Sequence, residues 1–386
     1  MKKIGLCMTF KGTNYGQLLQ SYALQQVIDT LGYETEIIDY CSNNNKGVKI
    51  SFASIYVMLK QMKNKISKYC NKNKEHFDDE HLKNIETRNK VSNKFRKNKL
   101  YNKVKCNGIH ELKEISKKYE AVVVGSDQIW APEVAVTNFY TLRFAAPGVT
   151  RVSYATSMGV SSYPNYAKKP AAEFWKKIDF LSVREQQAKK IIYSISGMNA
   201  KVVADPTYLL TPEEWLERIP NKEIVEKGYI LCYFLGDSAL IKEYAKKFSK
   251  SKGLRLVSIL SNECNSDDHK FCDEVTIGKS PEDFINLIRN AEFVLTDSFH
   301  GLAFSVINEK QFLIFYRNRT DVKESRNSRI DNIVKTWGVE DRLIKRPQEA
   351  SIPTTSIDYT VVSKKREKFR KESLDFLKNA LNNKKY

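Results

Sequence analysis

The chain has 386 residues, 41% hydrophobic and 11% aromatic, with a formal net charge of +19. That length and apolar share predict two packed cores, and no run of 18 or more apolar residues is present to span a bilayer as a helix. Seven scattered cysteines, odd in number and without a C-x-x-C pair, argue against a disulfide framework or a structural zinc site and read as free thiols.

Lys3 to Thr9 reads as a first strand and not as a signal peptide, so the chain is expected in the cytoplasm. Leu18, Leu19, Tyr22, Ala23, Val27 and Leu31 recur at helical spacing over Gln17 to Leu31, Gly32 closes that helix, and Glu34 to Tyr40 is a second strand, completing a βαβ unit. A basic insertion, mostly helical in pattern, follows at about 43–107. From Lys60 to Glu120 there are 18 Lys plus Arg against 8 Asp plus Glu, and Leu59, Met62, Ile66 and Tyr69 form a modest apolar stripe that could rest on an anionic bilayer. The plainer reading is a solvated helical face. No nucleic-acid module accompanies the charge, so no nucleic acid is expected as a partner.

Ala121 to Val124, Val152 to Ala155, Phe180 to Val183 and Lys201 to Ala204 are short apolar runs of the kind a buried parallel sheet needs. Ile219 to Lys227, charged and containing Pro220, reads as a linker. A second series then predicts strands at Tyr229 to Leu235, Arg255 to Leu260, Glu274 to Ile277, Phe293 to Thr296 and Gln311 to Phe315. One of its helices starts at Ser280-Pro281-Glu282-Asp283, with Ser as cap and Pro in the first turn. A basic helix, Val361 to Asn383, ends the chain; from Val362 to Tyr386 there are 9 basic residues against 3 acidic. The expected architecture is α/β, with doubly wound domains at 1–222 and 223–345 facing across a cleft, and a C-terminal extension and helix at 346–386.

In such a pair, ligands lie where strand carboxyl ends face each other, and the chemistry-bearing loops fall at strand ends. They are Phe10-Lys11-Gly12-Thr13-Asn14-Tyr15-Gly16, Gly125-Ser126-Asp127-Gln128, Thr156-Ser157-Met158-Gly159, Ser182-Val183-Arg184-Glu185 and Asp205-Pro206-Thr207. The most informative is Thr296-Asp297-Ser298-Phe299-His300-Gly301, a strand turning straight into a helix whose N-terminus favours an anion. His300 stands apart from the other four histidines, His76, His81, His110 and His269, whose polar surroundings read as solvated. The bland alternative makes Asp297 or Ser298 a helix cap and His300 a packing residue.

In that order, Gly12 to Gly16 with Leu18, Leu19, Gln20, Tyr22, Ala23 and Leu24, then Val124-Gly125-Ser126-Asp127-Gln128-Ile129-Trp130, Ser182-Val183-Arg184-Glu185, Val203-Ala204-Asp205-Pro206-Thr207 and Thr296 to Gly301 resemble the polysaccharide pyruvyl transferase family. The resemblance covers residues 1 to about 340 and is weakest across the insertion. It implies a fold like that of glycosyltransferases with two Rossmann-type domains (GT-B), the second on the donor side and the first on the acceptor side. The implied activity moves the pyruvyl group of phosphoenolpyruvate onto a sugar or an undecaprenyl-diphosphate-linked oligosaccharide. A pyruvate ketal forms and phosphate leaves, with no cofactor and no obligatory metal.

By that resemblance His300 is the general acid, with Asp127 or Asp297 as base, and nothing in the sequence ranks the two. Arg184, Ser298, Phe299 and Gly301 fall on the donor, whose carboxylate and phosphate call for arginine and a helix N-terminus. Asn14, Tyr15, Gly16, Ser126, Gln128 and Trp130 fall on the acceptor. Many members of the family carry arginine where this chain has Ser298, and Arg317 and Arg329 are the candidates to replace it. The competing expectations are a nucleotide-sugar glycosyltransferase of the same architecture and a non-catalytic basic protein that docks on membrane or nucleic acid. The basic patches suggest a peripheral position on the inner face of the cytoplasmic membrane.

Overall fold

The computed structural model describes residues 2–42, 57, 78–262, 267–317 and 327–383. β1 (Lys3–Cys7), α1 (Tyr15–Thr30), β2 (Glu34–Cys41), α2 (Asp79–Lys99), β3 (Lys103–Asn107), α3 (Gly108–Ser116), β4 (Ala121–Asp127) and β5 (Thr150–Thr156) open the first unit. It is completed by α4 (Asn165–Trp175), β6 (Phe180–Val183), α5 (Gln186–Ser196), β7 (Lys201–Val202) and α6 (Pro212–Arg218). The second unit comprises β8 (Tyr229–Tyr233), α7 (Ala239–Lys252), β9 (Arg255–Ile259), β10 (Glu274–Thr276), α8 (Pro281–Asn290), β11 (Phe293–Thr296), α9 (Phe299–Ile307), β12 (Gln311–Phe315), α10 (Ser328–Trp337) and β13 (Leu343–Ile344). α11 (Tyr359–Leu381) follows.

The seven-stranded sheet runs β3-β2-β1-β4-β5-β6-β7 and the six-stranded sheet β10-β9-β8-β11-β12-β13. Neighbouring strands pair in parallel. Both orders reverse direction beside their first strand, at β1/β4 and at β8/β11, and that is where a doubly wound sheet opens a crevice at its carboxyl edge. The central strands follow from their residues. In β4 Ala-Val-Val-Val-Gly is buried on both faces, as a sheet covered by helices on both sides requires. Ser280 caps α8 in a reciprocal capping box with Asp283, and Pro281 occupies the first turn.

Several expectations are corrected. The end of the insertion is not helical: Lys103–Asn107 is a strand paired with β2. α2 is not a solvated face, because His81, Asn84, Arg88, Ser92 and Phe95 are buried along one side of it. His81 is therefore buried, its Nδ1 2.9 Å from Asp78. The stripe of Leu59, Met62, Ile66 and Tyr69, and His76 with it, lies outside the described residues. Among the described cysteines, Cys7, Cys41, Cys106, Cys232 and Cys272 are free.

The segment 219–227 is held against the second unit: the carbonyls of Ile219 and Pro220 accept from Arg289 and Asn286 of α8 at 2.9 and 3.2 Å. α11 returns to the first sheet. Ala204 N donates to Ser373 Oγ at 2.9 Å and Arg370 donates to the Leu209 carbonyl at 3.2 Å. Arg366 donates to the carbonyls of Val306 and Ile307 at 2.9 and 3.2 Å, placing a cation at the C-terminus of α9, where the helix dipole favours one. Among the described residues, no helix is long and apolar enough to cross a membrane.

Candidate active site

The carboxyl edges of the two sheets meet around a cavity of about 340 Å³. Thr9, Asn14 and Gln17 after β1 and Asp127 and Gln128 after β4 form one wall. Leu235 after β8, Asp297 to His300 after β11, Arg317 after β12, and Asn327, Arg329 and Ile330 at the start of α10 form the other. Strand ends supply these side chains because backbone pairing stops there and the next turn is free to aim them.

His300 sits in the first turn of α9. Ser298 caps that helix, its Oγ accepting from Gly301 N at 3.3 Å, and a Cβ on Gly301 would come within 2.4 Å of Thr296 Oγ1. The imidazole crosses the cleft to α1: a Cβ on Gly16 would lie 1.9 Å from His300 Nδ1. Only glycine permits that approach. Phe299 stands edge-on to the imidazole, 5.1 Å between ring centroids, and its face carries the Arg184 guanidinium 4.2 Å from the ring centroid. Arg184 Nη1 donates to Asp205 Oδ2 at 2.7 Å, and the same oxygen lies 3.7 Å from His300 Nε2.

Burial would raise the Asp205 carboxyl, but His300, Arg184 and the Thr207 amide outweigh it and hold it well below the usual carboxylate range. Burial would likewise lower the Arg184 guanidinium, and Asp205 and Glu185 outweigh it and raise it.

Arg317 and Arg329 bring cations to the cavity. Arg317 Nε lies 3.3 Å from Asp297 Oδ2. Burial first, then the like charge of Arg184, push Arg329 down to about 10, with Glu185 and Asp127 opposing. A guanidinium keeps its proton at neutral pH, so Arg329 is a buried cation. Arg329 Nε is buried without a hydrogen-bond partner. Gln128, with its amide oxygen toward the guanidinium, accepts from Arg329 Nη1 and Nη2 at 2.6 and 2.9 Å.

The two candidate bases differ. Asp297 is committed: its oxygens accept from the amides of Leu235 and Gly236 at 2.7 and 2.9 Å and face Arg317, tying the β8 and β11 ends together. Asp127 occupies the left-handed region at φ 72°, which Asp tolerates better than most residues, and lines the cavity. Its carboxylate makes no hydrogen bond or ion pair among the described residues.

The other sequence candidates divide. Asn14, Gln128, Ser298 and Phe299 line the cavity, and Gly16 and Gly301 provide close approach. Tyr15, Ser126 and Trp130 do not reach it, which corrects their placement on an acceptor. Tyr15 is buried where the two units join, its hydroxyl donating to the Lys279 carbonyl at 2.9 Å and its ring stacked on Phe284 at 4.7 Å. Ser126 is fully buried, its Oγ 2.9 Å from the Ala155 carbonyl and 3.2 Å from Asp205 Oδ2. Trp130 is core, donating to the Tyr140 carbonyl and packed on Phe174 and Trp175. Arg184 is corrected too: it lies behind Phe299 and touches Asp205 instead of lining the cavity. Sequence reasoning missed Thr9, Gln17, Leu235, Asn327 and Ile330 as lining residues, and gave Asp205 no role although its loop was among those placed at the strand ends.

The fold resembles that of UDP-GlcNAc 2-epimerase from Methanocaldococcus jannaschii, at 13% identity over 95% of this chain and 92% of that one, with a TM-score of 0.50. The glycosyltransferase SnogD from Streptomyces nogalater aligns at 9% identity over 97% and 95% of the two chains, TM-score 0.41. An E. coli heptosyltransferase, WaaC, aligns at 13% identity over 88% and 100%, TM-score 0.38. The architecture is the two-domain GT-B type. No curated protein matches the chain. The family description polysaccharide pyruvyl transferase matches residues 14–319, which include Asn14, Gln17, Asp127, Gln128, Leu235, Asp297 to His300 and Arg317 of the cavity lining, whereas Thr9, Asn327, Arg329 and Ile330 lie outside the match. The chain belongs to the polysaccharide pyruvyl transferase family.

Proposed function

We propose that the cavity binds phosphoenolpyruvate and that the protein transfers its pyruvyl group to two hydroxyls of one sugar in a surface glycan or its lipid-linked precursor. The carrying observation is a histidine at a helix N-terminus sharing one small polar cavity with two arginines, one of which, Arg329, makes no ion pair among the described residues. Phosphoenolpyruvate presents a carboxylate and a phosphate to such a pair.

In this reading His300 donates a proton to the donor's C3 methylene, which becomes a methyl group, while C2 gains carbocation character. A sugar hydroxyl bonds to C2 and passes its proton to Asp127. The C2–O bond to phosphate then breaks with its electron pair leaving on phosphate, and a second hydroxyl closes the ketal. Of the two hydroxyl protons, one balances the proton taken by C3 and the other leaves with phosphate.

A nucleotide-sugar transferase is the competing reading. In a doubly wound sheet a nucleotide extends from the switch-point crevice along the neighbouring strand ends, and beside the β8/β11 crevice α2 covers the ends of β9 and β10 here. Arg88 donates to the Leu260 carbonyl at 2.8 Å, and Asn84 accepts from Gly278 N at 2.7 Å. That arrangement supports a small donor.

Thermal unfolding with phosphoenolpyruvate and, separately, UDP-N-acetylglucosamine tests the reading. Phosphoenolpyruvate is expected to stabilise the wild type and to lose most of that effect in Arg329→Ala. Stabilisation by the nucleotide sugar alone would move the assignment to glycosyl transfer.

A further inference from the structure

Asp205 belongs to the seventh strand's exit, a place the chemistry above does not use. Its side chain is fully buried, and each oxygen has a distinct environment. Oδ1 accepts from Thr207 N at 3.0 Å and from Thr207 Oγ1 at 2.9 Å, which fixes the carboxylate plane against its own backbone. Oδ2 is left to face the cleft, where Arg184 Nη1 lies at 2.7 Å, Ser126 Oγ at 3.2 Å and His300 Nε2 at 3.7 Å. The Ser126 hydroxyl has one proton and a nearer acceptor in the Ala155 carbonyl at 2.9 Å, so Oδ2 retains accepting capacity.

His300 supplies the matching deficit. Nε2 is buried and makes no hydrogen bond, a costly state for a ring nitrogen. Among the described residues Asp205 is the carboxylate within ion-pair distance of it. Nδ1 is the nitrogen beside Gly16 on the opposite side of the cleft. Contacts of this kind are long in ligand-free enzymes and tighten when substrate closes the site.

We infer that Asp205 is the positioning residue of His300: its buried carboxylate accepts a hydrogen bond from Nε2–H, so that Nδ1 is the nitrogen that exchanges a proton with a ligand. Arg184, behind Phe299, keeps that carboxylate ionised and in place rather than gripping the donor. The mechanistic part rests on the pyruvyl-transfer reading, while the tautomer itself follows from geometry alone.

The test separates those two parts. Nitrogen-15 NMR of the wild-type protein, with the His300 signals assigned by their loss in His300→Gln, reads the neutral tautomer directly. The proton is expected on Nε2 and is expected to redistribute toward Nδ1 in Asp205→Asn. A wild-type ring carrying its proton on Nδ1 overturns the inference whatever the donor proves to be, and needs no variant that folds poorly. With phosphoenolpyruvate turnover as the second readout, Asp205→Asn is expected to lower kcat roughly 10- to 100-fold, part of the effect of the acid itself, and to leave KM for phosphoenolpyruvate within about threefold. Loss of KM with kcat retained would make Asp205 a donor-site residue and overturn the positioning role. If phosphoenolpyruvate is not the donor at all, turnover is absent in wild type and variant alike, and the tautomer still decides the inference.

Discussion

Gly16 is the residue at which local preference and site chemistry conflict most openly. It lies in the first turn of α1, where alanine is the better helix former by about 1 kcal/mol, yet a Cβ there would meet His300 Nδ1 at 1.9 Å. Gly16→Ala is expected to leave the unfolding temperature within a few degrees of wild type and to lower turnover about 100-fold, the order of loss for a reacting group displaced by about 1 Å. Parallel thermal unfolding and kinetics check this, and unchanged turnover would remove His300 from the reaction. His300 was legible from sequence because a histidine at a strand-to-helix turn stands out among five. Tyr15, Ser126 and Trp130 were misplaced for a physical reason: sitting beside a strand end says nothing about depth, and their polar atoms are satisfied inside the protein by backbone or neighbouring groups. Asp205 stands in one of the strand-end loops, but the sequence assigns it no role, because its second oxygen gains meaning only when β4, β6 and α9 converge on it.

At the scale of elements, the buried parallel strands were readable because continuous apolar runs are what a doubly covered sheet requires. β3 escaped because Lys103-Val104-Lys105-Cys106-Asn107 alternates with lysine. It is an edge strand with lysines on its exposed positions, the pattern that protects an open edge from further pairing. α2 was misread for a related reason. Its charged residues dominate the composition, while the buried face is formed by the polar His81, Asn84, Arg88 and Ser92 together with Phe95, with Arg88 over the Tyr15 ring at 4.5 Å. α2 therefore straps the first unit to the carboxyl ends of β9 and β10. Arg88→Ala removes a buried charged hydrogen bond and the ring contact, and is expected to destabilise the protein by about 2 to 3 kcal/mol. Urea unfolding measures it, and a change under about 0.5 kcal/mol, ordinary for a surface position, would deny the strap.

For the whole molecule, the two strand orders place both switch points on one cavity, and α11 closes the chain back onto the first sheet. The net charge of +19 is partly internal: Arg366 and Arg370 of α11 hold carbonyls of both units, whereas Lys364, Lys368 and Lys371 are exposed. Those exposed lysines suit an anionic surface such as one presenting a lipid-linked acceptor. Flotation at low salt with phosphatidylglycerol-rich vesicles is expected to carry the protein upward, and less so after Lys364→Glu, Lys368→Glu and Lys371→Glu together. Equal behaviour with neutral vesicles would oppose membrane docking.

The central claim is that the cavity around His300 performs pyruvyl transfer, and acceptor-dependent phosphate release from phosphoenolpyruvate tests it most directly. With a glycan precursor pool as acceptor, the wild type is expected to release phosphate, and His300→Ala to lose about 100- to 10,000-fold of that rate, the contribution of a positioned general acid. Release at the wild-type rate in His300→Ala would contradict the account.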